Sequence, residues 1–174
     1  PARSWFVMPG PVLGDGNANM TDPLNAPYRL SHGTLECRSL GSTRPFYEEF
    51  LGFDCVRHGR RSMLLRKGGY WAIVCVEAGD KIRPQGLWNH WGLDLESKEA
   101  VDDAHGRAHE FSETYGIDKI TQPGMRHGTY QFHFRDQDGN WWEFQFVEKD
   151  RYDQFFEQGD TFNADGTPKA ESNS

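Results

Sequence analysis

Cysteine is scarce. Cys37, Cys55 and Cys75 are the only three in 174 residues, each inside an apolar stretch, with no CxxC spacing and no even-numbered framework. They read as small buried residues of a reducing compartment. Basic charge is also short, with 19 Lys plus Arg against 26 Asp plus Glu and a net charge of -7, which disfavours nucleic acid and anionic membrane as partners. Long apolar runs are missing too. Nothing approaches the ~20 residues that cross a bilayer, and the opening PARSWFVMPGPV lacks the apolar core and cleavage site of a signal peptide. The expectation is a cytoplasmic protein with a small-molecule ligand. What is plentiful is aromatic side chain, 14% of the chain. In an acidic protein that means a packed core or a pocket wall rather than a base-stacking surface.

The edges of the chain carry little pattern. Residues 1–29 are proline-rich and aperiodic and read as a surface arm; residues 150–174 hold RYDQFFEQ, a short amphipathic helix with Phe155 and Phe156 packed down, followed by a flexible tail. Between them the chain repeats itself. A strand from His32 to Leu40, a helix from Thr43 to Leu51 and strands at 53–57, 62–66 and 70–76 make one βαβββ unit over 30–80. After a linker at 81–88, residues 89–149 repeat the order: a strand from His90, a helix from Lys98 to Tyr115, and strands near 117–122, 129–135 and 141–148. Ser97 fits the N-cap of the long helix and Gly116 its C-terminal stop, and Pro45 sits in the opening turn of the short one. The predicted fold class is α+β: two modules forming a cupped, incompletely closed mixed β-sheet, with helices outside and the site on the concave face.

Side chains alternate along a strand, so faces follow from counting. His32, Thr34 and Glu36 share a face opposite Leu35 and Cys37. His90, Gly92 and Asp94 oppose Trp91, Leu93 and Leu95. Gln131, His133 and Arg135 oppose Tyr130, Phe132 and Phe134, and Trp141, Glu143 and Gln145 oppose Trp142, Phe144 and Phe146. One side of each strand is apolar and the other has an excess of polar groups. A solvated sheet face explains Thr34, Gln131 and Gln145. It gives no reason for His32 and His90 at matching places 58 residues apart (90 minus 32), or for Glu143 on the same kind of face. Two imidazoles and a carboxylate are the ligand set that holds a divalent metal while leaving positions open.

HGTLECRSLGSTRPFYEEFLGFD resembles the opening of the vicinal oxygen chelate superfamily: a strand starting with a ligand His, a helix carrying FY, then LGF before the second strand. HFRDQDGNWWEFQF resembles its closing hairpin, with a D-x-D-G-N turn and a ligand Glu. The resemblance covers residues 31–148 and implies metal ligands at His32, His90 and Glu143. Members of the superfamily include glyoxalases, extradiol ring-cleaving dioxygenases, epimerases, antibiotic-inactivating transferases and metal-free drug-binding proteins, so fold does not choose the chemistry.

Glyoxalase-like members add a carboxylate from the fourth strand. Here that strand is YWAIVCV, and Glu77 comes only at its end. A three-ligand site suits Fe(II) with a bidentate catecholate and O2. The resemblance therefore implies an extradiol dioxygenase, closest to small type I enzymes of aromatic compound catabolism. His127 would contact the substrate hydroxyl, and His133 stands ten residues before Glu143 where the family commonly has Tyr. His127, His133 and Tyr130 are the expected proton-handling groups, with Trp71, Trp141 and Thr34 as pocket residues. The alternatives are a glyoxalase- or isomerase-like lyase using Mn, Zn, Ni or Co, with Glu77 or water as fourth ligand, and a non-catalytic ligand-sequestering resistance protein. His105 and His109, an i, i+4 pair without a third ligand, read as a solvated helix face. A homodimer or higher homo-oligomer is expected, with modules paired either within one chain or between chains.

Overall fold

A computed structural model of the chain describes residues 27–169. Contacts divide the chain between Leu30 and Ser31, and every element below belongs to the second unit. Most of the expected amino-terminal arm, residues 1–26, and the last five residues of the expected tail lie outside the described residues. The first repeat comprises β1 (His32–Cys37), α1 (Leu40–Pro45) continuing into a π-helical turn (Phe46–Phe50), β2 (Asp54–Gly59), β3 (Ser62–Arg66) and β4 (Ala72–Glu77). The second comprises β5 (His90–Asp94), α2 (Lys98–Glu110), α3 (Ser112–Tyr115), β6 (Gly124–Arg126), β7 (Thr129–Arg135) and β8 (Trp141–Phe146), followed by α4 (Arg151–Gln158). The expected two-module α+β architecture is present as two open four-stranded mixed sheets, ordered β1-β4-β3-β2 and β5-β8-β7-β6. In each, the first strand runs parallel to the last strand of its module and forms an edge.

Local chemistry explains the boundaries. The Ser97 hydroxyl accepts the Ala100 N–H at 3.1 Å and starts α2, and Gly116 takes the left-handed conformation, φ 64°, that stops α3. The helix expected as continuous to Tyr115 breaks at Phe111, where ψ turns to 12°. The first helix begins at Leu40 rather than Thr43, because the Glu77 carboxylate accepts the Leu40 N–H at 2.9 Å. Pro45 lies inside it, and lacking an N–H it cannot continue the regular ladder. The following turn widens, with the Leu51 N–H donating to the Phe46 carbonyl at 3.1 Å.

Both sheets turn their apolar faces to one shared core. Leu35, Cys37, Met63, Leu65, Ile73 and Cys75 of the first sheet join Phe132, Phe134, Trp142 and Phe144 of the second in a single buried cluster. The first helix locks them together: Phe46 and Tyr47 lie 6.1 and 5.9 Å from the Trp142 ring. The D-x-D-G-N hairpin adds a polar tie. Asp136 accepts the Asp138 and Asn140 N–H groups at 2.9 Å each and the Trp142 indole N–H at 3.0 Å. Asn140 donates in turn to the Glu36 carbonyl of β1 at 3.0 Å.

The carboxy-terminal expectation needs correction. RYDQFFEQ is helical, but Phe155 is 42% and Phe156 88% exposed, and the hydrogen bond that ties α4 to the sheet, from Gln145 to Tyr152, meets its first turn. The Arg151 guanidinium covers the Phe155 ring at 4.4 Å instead. Beyond it, Phe162 and Pro168 bridge across a tight turn. Among the described residues no helix is long and apolar enough to cross a membrane.

Candidate metal centre

The outward face of the second sheet is polar yet buried. Gln131, His133, Glu143 and Gln145 are 4–7% exposed, which a solvated face would not be. Strand register explains the convergence: Glu143 pairs with Gly92 on one side and with His133 on the other, and His90 lies two pairs up β5, on the same face as Gly92. The His90 Nε2 is 3.3 Å from Glu143 Oε2, and the His133 Nε2 is 3.5 Å from Glu143 Oε1. One donor atom from each of the three lies within 4.8 Å of the others, the one such group of three or more His, Cys, Asp or Glu among the described residues.

Hydrogen bonding prepares these groups as ligands. His90 donates Nδ1–H to the Leu87 carbonyl at 2.8 Å, which leaves the Nε2 lone pair facing the cluster. Burial, helped by the nearby His90 and Arg126, pushes the His133 imidazole down to about 4, so it is neutral at pH 7. Its Nδ1 is a buried nitrogen with no hydrogen-bond partner. Burial also raises the Glu143 carboxyl, opposed by His90. A buried carboxylate between two imidazole Nε2 atoms fits a divalent cation well.

The other expected site residues are not gathered here within one chain. His32 is exposed at the start of β1, its Nδ1 2.9 Å from the Ser31 hydroxyl, and Thr34 is exposed on the same face. The reason is the shared core: apolar faces packed against each other point the polar faces apart. Trp71 belongs to the apolar side, 5.4 Å from Trp91, where both line a cavity of about 210 Å³ with Leu65 and Trp142. Tyr130 also points that way and donates to Asp102 of α2 at 2.8 Å. His127 occupies an exposed turn with φ 51°. Trp141 does share the face of Glu143, and its indole N–H donates to the Gln85 carbonyl at 3.1 Å. Glu77, weighed as a fourth ligand, is engaged in capping α1. His105 and His109 bring their Nε2 atoms to 3.3 Å without joining a larger group. A larger cavity of about 830 Å³, lined by Phe50, Leu93, Leu95, Ala104 and Phe144, contains no member of the cluster.

Sequence reasoning placed Asp94 and Gln145 on the polar face without a role at the site, and did not single out Tyr152. The Gln145 amide donates to Asp94 and to the Tyr152 hydroxyl, both at 2.9 Å. A central strand covered on both faces was the available signal, since it turns a polar residue such as Gln145 into a buried one.

Several solved structures share this architecture. The fosfomycin resistance protein FosX from Listeria monocytogenes is 21% identical, with a TM-score of 0.58 over 72% of this chain and 98% of its own. A glyoxalase/bleomycin resistance protein from Albidiferax ferrireducens is 20% identical, TM-score 0.54, over 68% of this chain and 98% of its own. The antibiotic-binding protein TnmS3 from Streptomyces is 21% identical, TM-score 0.56, over 71% and 99%. No curated protein matches. Residues 29–144 match the Glyoxalase/Bleomycin resistance protein/Dioxygenase superfamily along most of the chain, and with two βαβββ modules in place this protein belongs to that family.

Proposed function

We propose that this protein is a divalent-metal enzyme of the extradiol type, using Fe(II) and O2 to cleave a catechol-like ring. The observation that supports this most is the convergence of His90 and Glu143 on a buried face beside a neutral His133. The ion, when bound, supplies a Lewis acid with open positions for two vicinal oxygens and for O2. His90 would hold it through Nε2, its ring fixed by Leu87, and Glu143 would hold it with a carboxylate that buried surroundings keep from water.

His32 completes the set from a second copy of the chain. Among the described residues, strands β1 and β5 each have one unpaired edge, and each begins with a His on the outward face. Setting β1 of one copy beside β5 of the other joins the two kinds of sheet into one cup and generates two identical sites by twofold symmetry. His133, unprotonated at neutral pH, accepts the proton that a chelating hydroxyl releases. Trp141 stands on the same face as a wall for an aromatic ring. The lyase alternative takes Glu77 or water as fourth ligand, and Glu77 is committed to Leu40.

The test is anaerobic reconstitution with Fe(II), determination of iron per chain, and a screen of catechols for oxygen uptake and the yellow ring-fission product. One iron per chain and oxygen-dependent colour are expected. Full turnover by a Glu143→Ala variant overturns the proposal.

A further inference from the structure

Two residues beyond Glu143 on the same face, the Gln145 amide uses both of its hydrogens. Its Nε2 donates to Asp94 Oδ1 and to the Tyr152 hydroxyl oxygen, each at 2.9 Å. The Asp94 carboxylate, which only accepts, fixes which way the amide points. An amide nitrogen offers no lone pair, so Tyr152 is the acceptor in this contact, and its own proton is left to donate elsewhere. Asp94 likewise keeps Oδ2, which has no hydrogen bond to a described residue. Gln145 is buried at 7% exposure while Tyr152 is 50% exposed and Asp94 is exposed. A buried amide thus holds one donor and one acceptor beside the strand face that carries Glu143.

Between this pair and the carboxylate stands a glycine. Gly92 stands in register with Glu143, and a Cβ built there would lie 3.4 Å from Glu143 Oε2 and 4.0 Å from Gln145 Nε2. With no side chain at Gly92, the strand surface between Glu143 and the Asp94–Gln145–Tyr152 group carries no Cβ at that register. Two residues of strand span about 7 Å, close to the reach of a six-membered ring with one substituent.

We infer that Tyr152 and Asp94, held by Gln145, form a second contact point for the substrate, one that reads an uncharged hydroxyl carried on the side of the molecule away from its chelating oxygens. A hydroxyl accepts from Tyr152 and donates to Asp94. A methyl group does neither, and a carboxylate meets the Asp94 charge. Because α4 supplies Tyr152, the helix positions a specificity-determining residue rather than decorating the surface. The inference rests on the metal-centre reading above.

Two pairs of vicinal-oxygen chelators test it on the Fe(II)-loaded full chain under anaerobic conditions: hydroxymethyl-catechol against methyl-catechol, and kojic acid against its methyl analogue allomaltol. Each pair differs by one hydroxyl. The wild type is expected to bind the hydroxylated member about tenfold more tightly. Tyr152→Phe, which keeps the ring and removes the proton, brings that ratio close to one. Asp94→Asn raises affinity for a carboxylated catechol about tenfold. A ratio that survives Tyr152→Phe overturns the inference, as does failure of both pairs to bind metal-loaded protein. Equilibrium dialysis of Fe(II) reads the metal centre separately: no uptake by the wild type sinks that reading. Hydroxyl-selective binding without ring cleavage upholds the contact point and removes the dioxygenase assignment.

Discussion

Gly92 faces Glu143 across the β5–β8 pair, so closely that a methyl group at Gly92 would touch Oε2 at 3.4 Å. The smallest residue in the strand thereby guards the space in front of the carboxylate. Gly92→Leu should fill that space with a branched side chain and weaken chelator binding by more than about tenfold, by analogy with overpacked pockets. Titration of the metal-loaded variant with kojic acid checks this. Urea unfolding of the metal-free variant should shift much less, because Gly92 is exposed and the strand tolerates a leucine.

Much of this arrangement was legible in the sequence. Alternation along β5, β7 and β8 places His90, His133 and Glu143 on one face because a strand has a period of two, whatever it packs against. The same counting places His32 on the polar face of its own strand but is silent on which sheets face each other. That depends on long-range packing of Phe46, Tyr47 and Trp142, and the resulting shared core turns His32 away from His90. Trp71 shows the limit from the other side. Its parity with Ile73 and Cys75 puts it in the apolar set, and the structure packs it against Trp91 with the rings tilted by 43°. Tyr152 was out of reach, since an exposed helix gives no sign of the strand residue it meets.

Gly33 is a second position where space decides. A Cβ there would lie 2.2 Å from the Trp91 ring, in a region also filled by Trp71. Gly33→Ala should cost about 1–3 kcal/mol of stability through overpacking, read as a lowered urea midpoint. A compensating Trp91→Leu change should recover part of that loss, whereas it would add a further loss if Gly33 acted through backbone conformation alone.

Asn140 carries the polar tie between the closing hairpin and β1. Its amide donates to the Glu36 carbonyl at 3.0 Å and to Asp136 Oδ2 at 3.1 Å, and the residue is 2% exposed. Asn140→Ala leaves both acceptors short of a donor in a buried place. The expected cost is about 1–3 kcal/mol, measured by chemical denaturation, with Asn140→Asp at least as harmful because it sets a second carboxylate beside Asp136.

Acid should destabilise the metal-free protein through His133. Its folded-state value of about 4 lies below the ordinary 6.5, so the unfolded chain binds the proton more readily. The contribution to stability is therefore full above about pH 6.5 and is lost as the pH falls toward 4, amounting to at most about 3 kcal/mol. Denaturation curves at pH 7 and pH 4.5 should differ more for the wild type than for His133→Gln. An equal difference would show that the imidazole titrates as it does in water.

The sharpest consequence concerns His32, which lies on one sheet while His90 and Glu143 lie on the other, facing away. If a second copy supplies it, His32→Ala and Glu143→Ala are defective in different halves of one site. Each variant alone should be inactive and take up little Fe(II). Unfolded and refolded together in equal amounts, half of the dimers are mixed, and each mixed dimer has one site with every ligand intact, so activity should return to about a quarter of the wild type. A mixture that stays inactive while forming mixed dimers by native mass spectrometry would exclude the shared site. In that event His133, already 3.5 Å from Glu143, would be the remaining candidate for third ligand, and His133→Ala should then abolish metal uptake where His32→Ala does not.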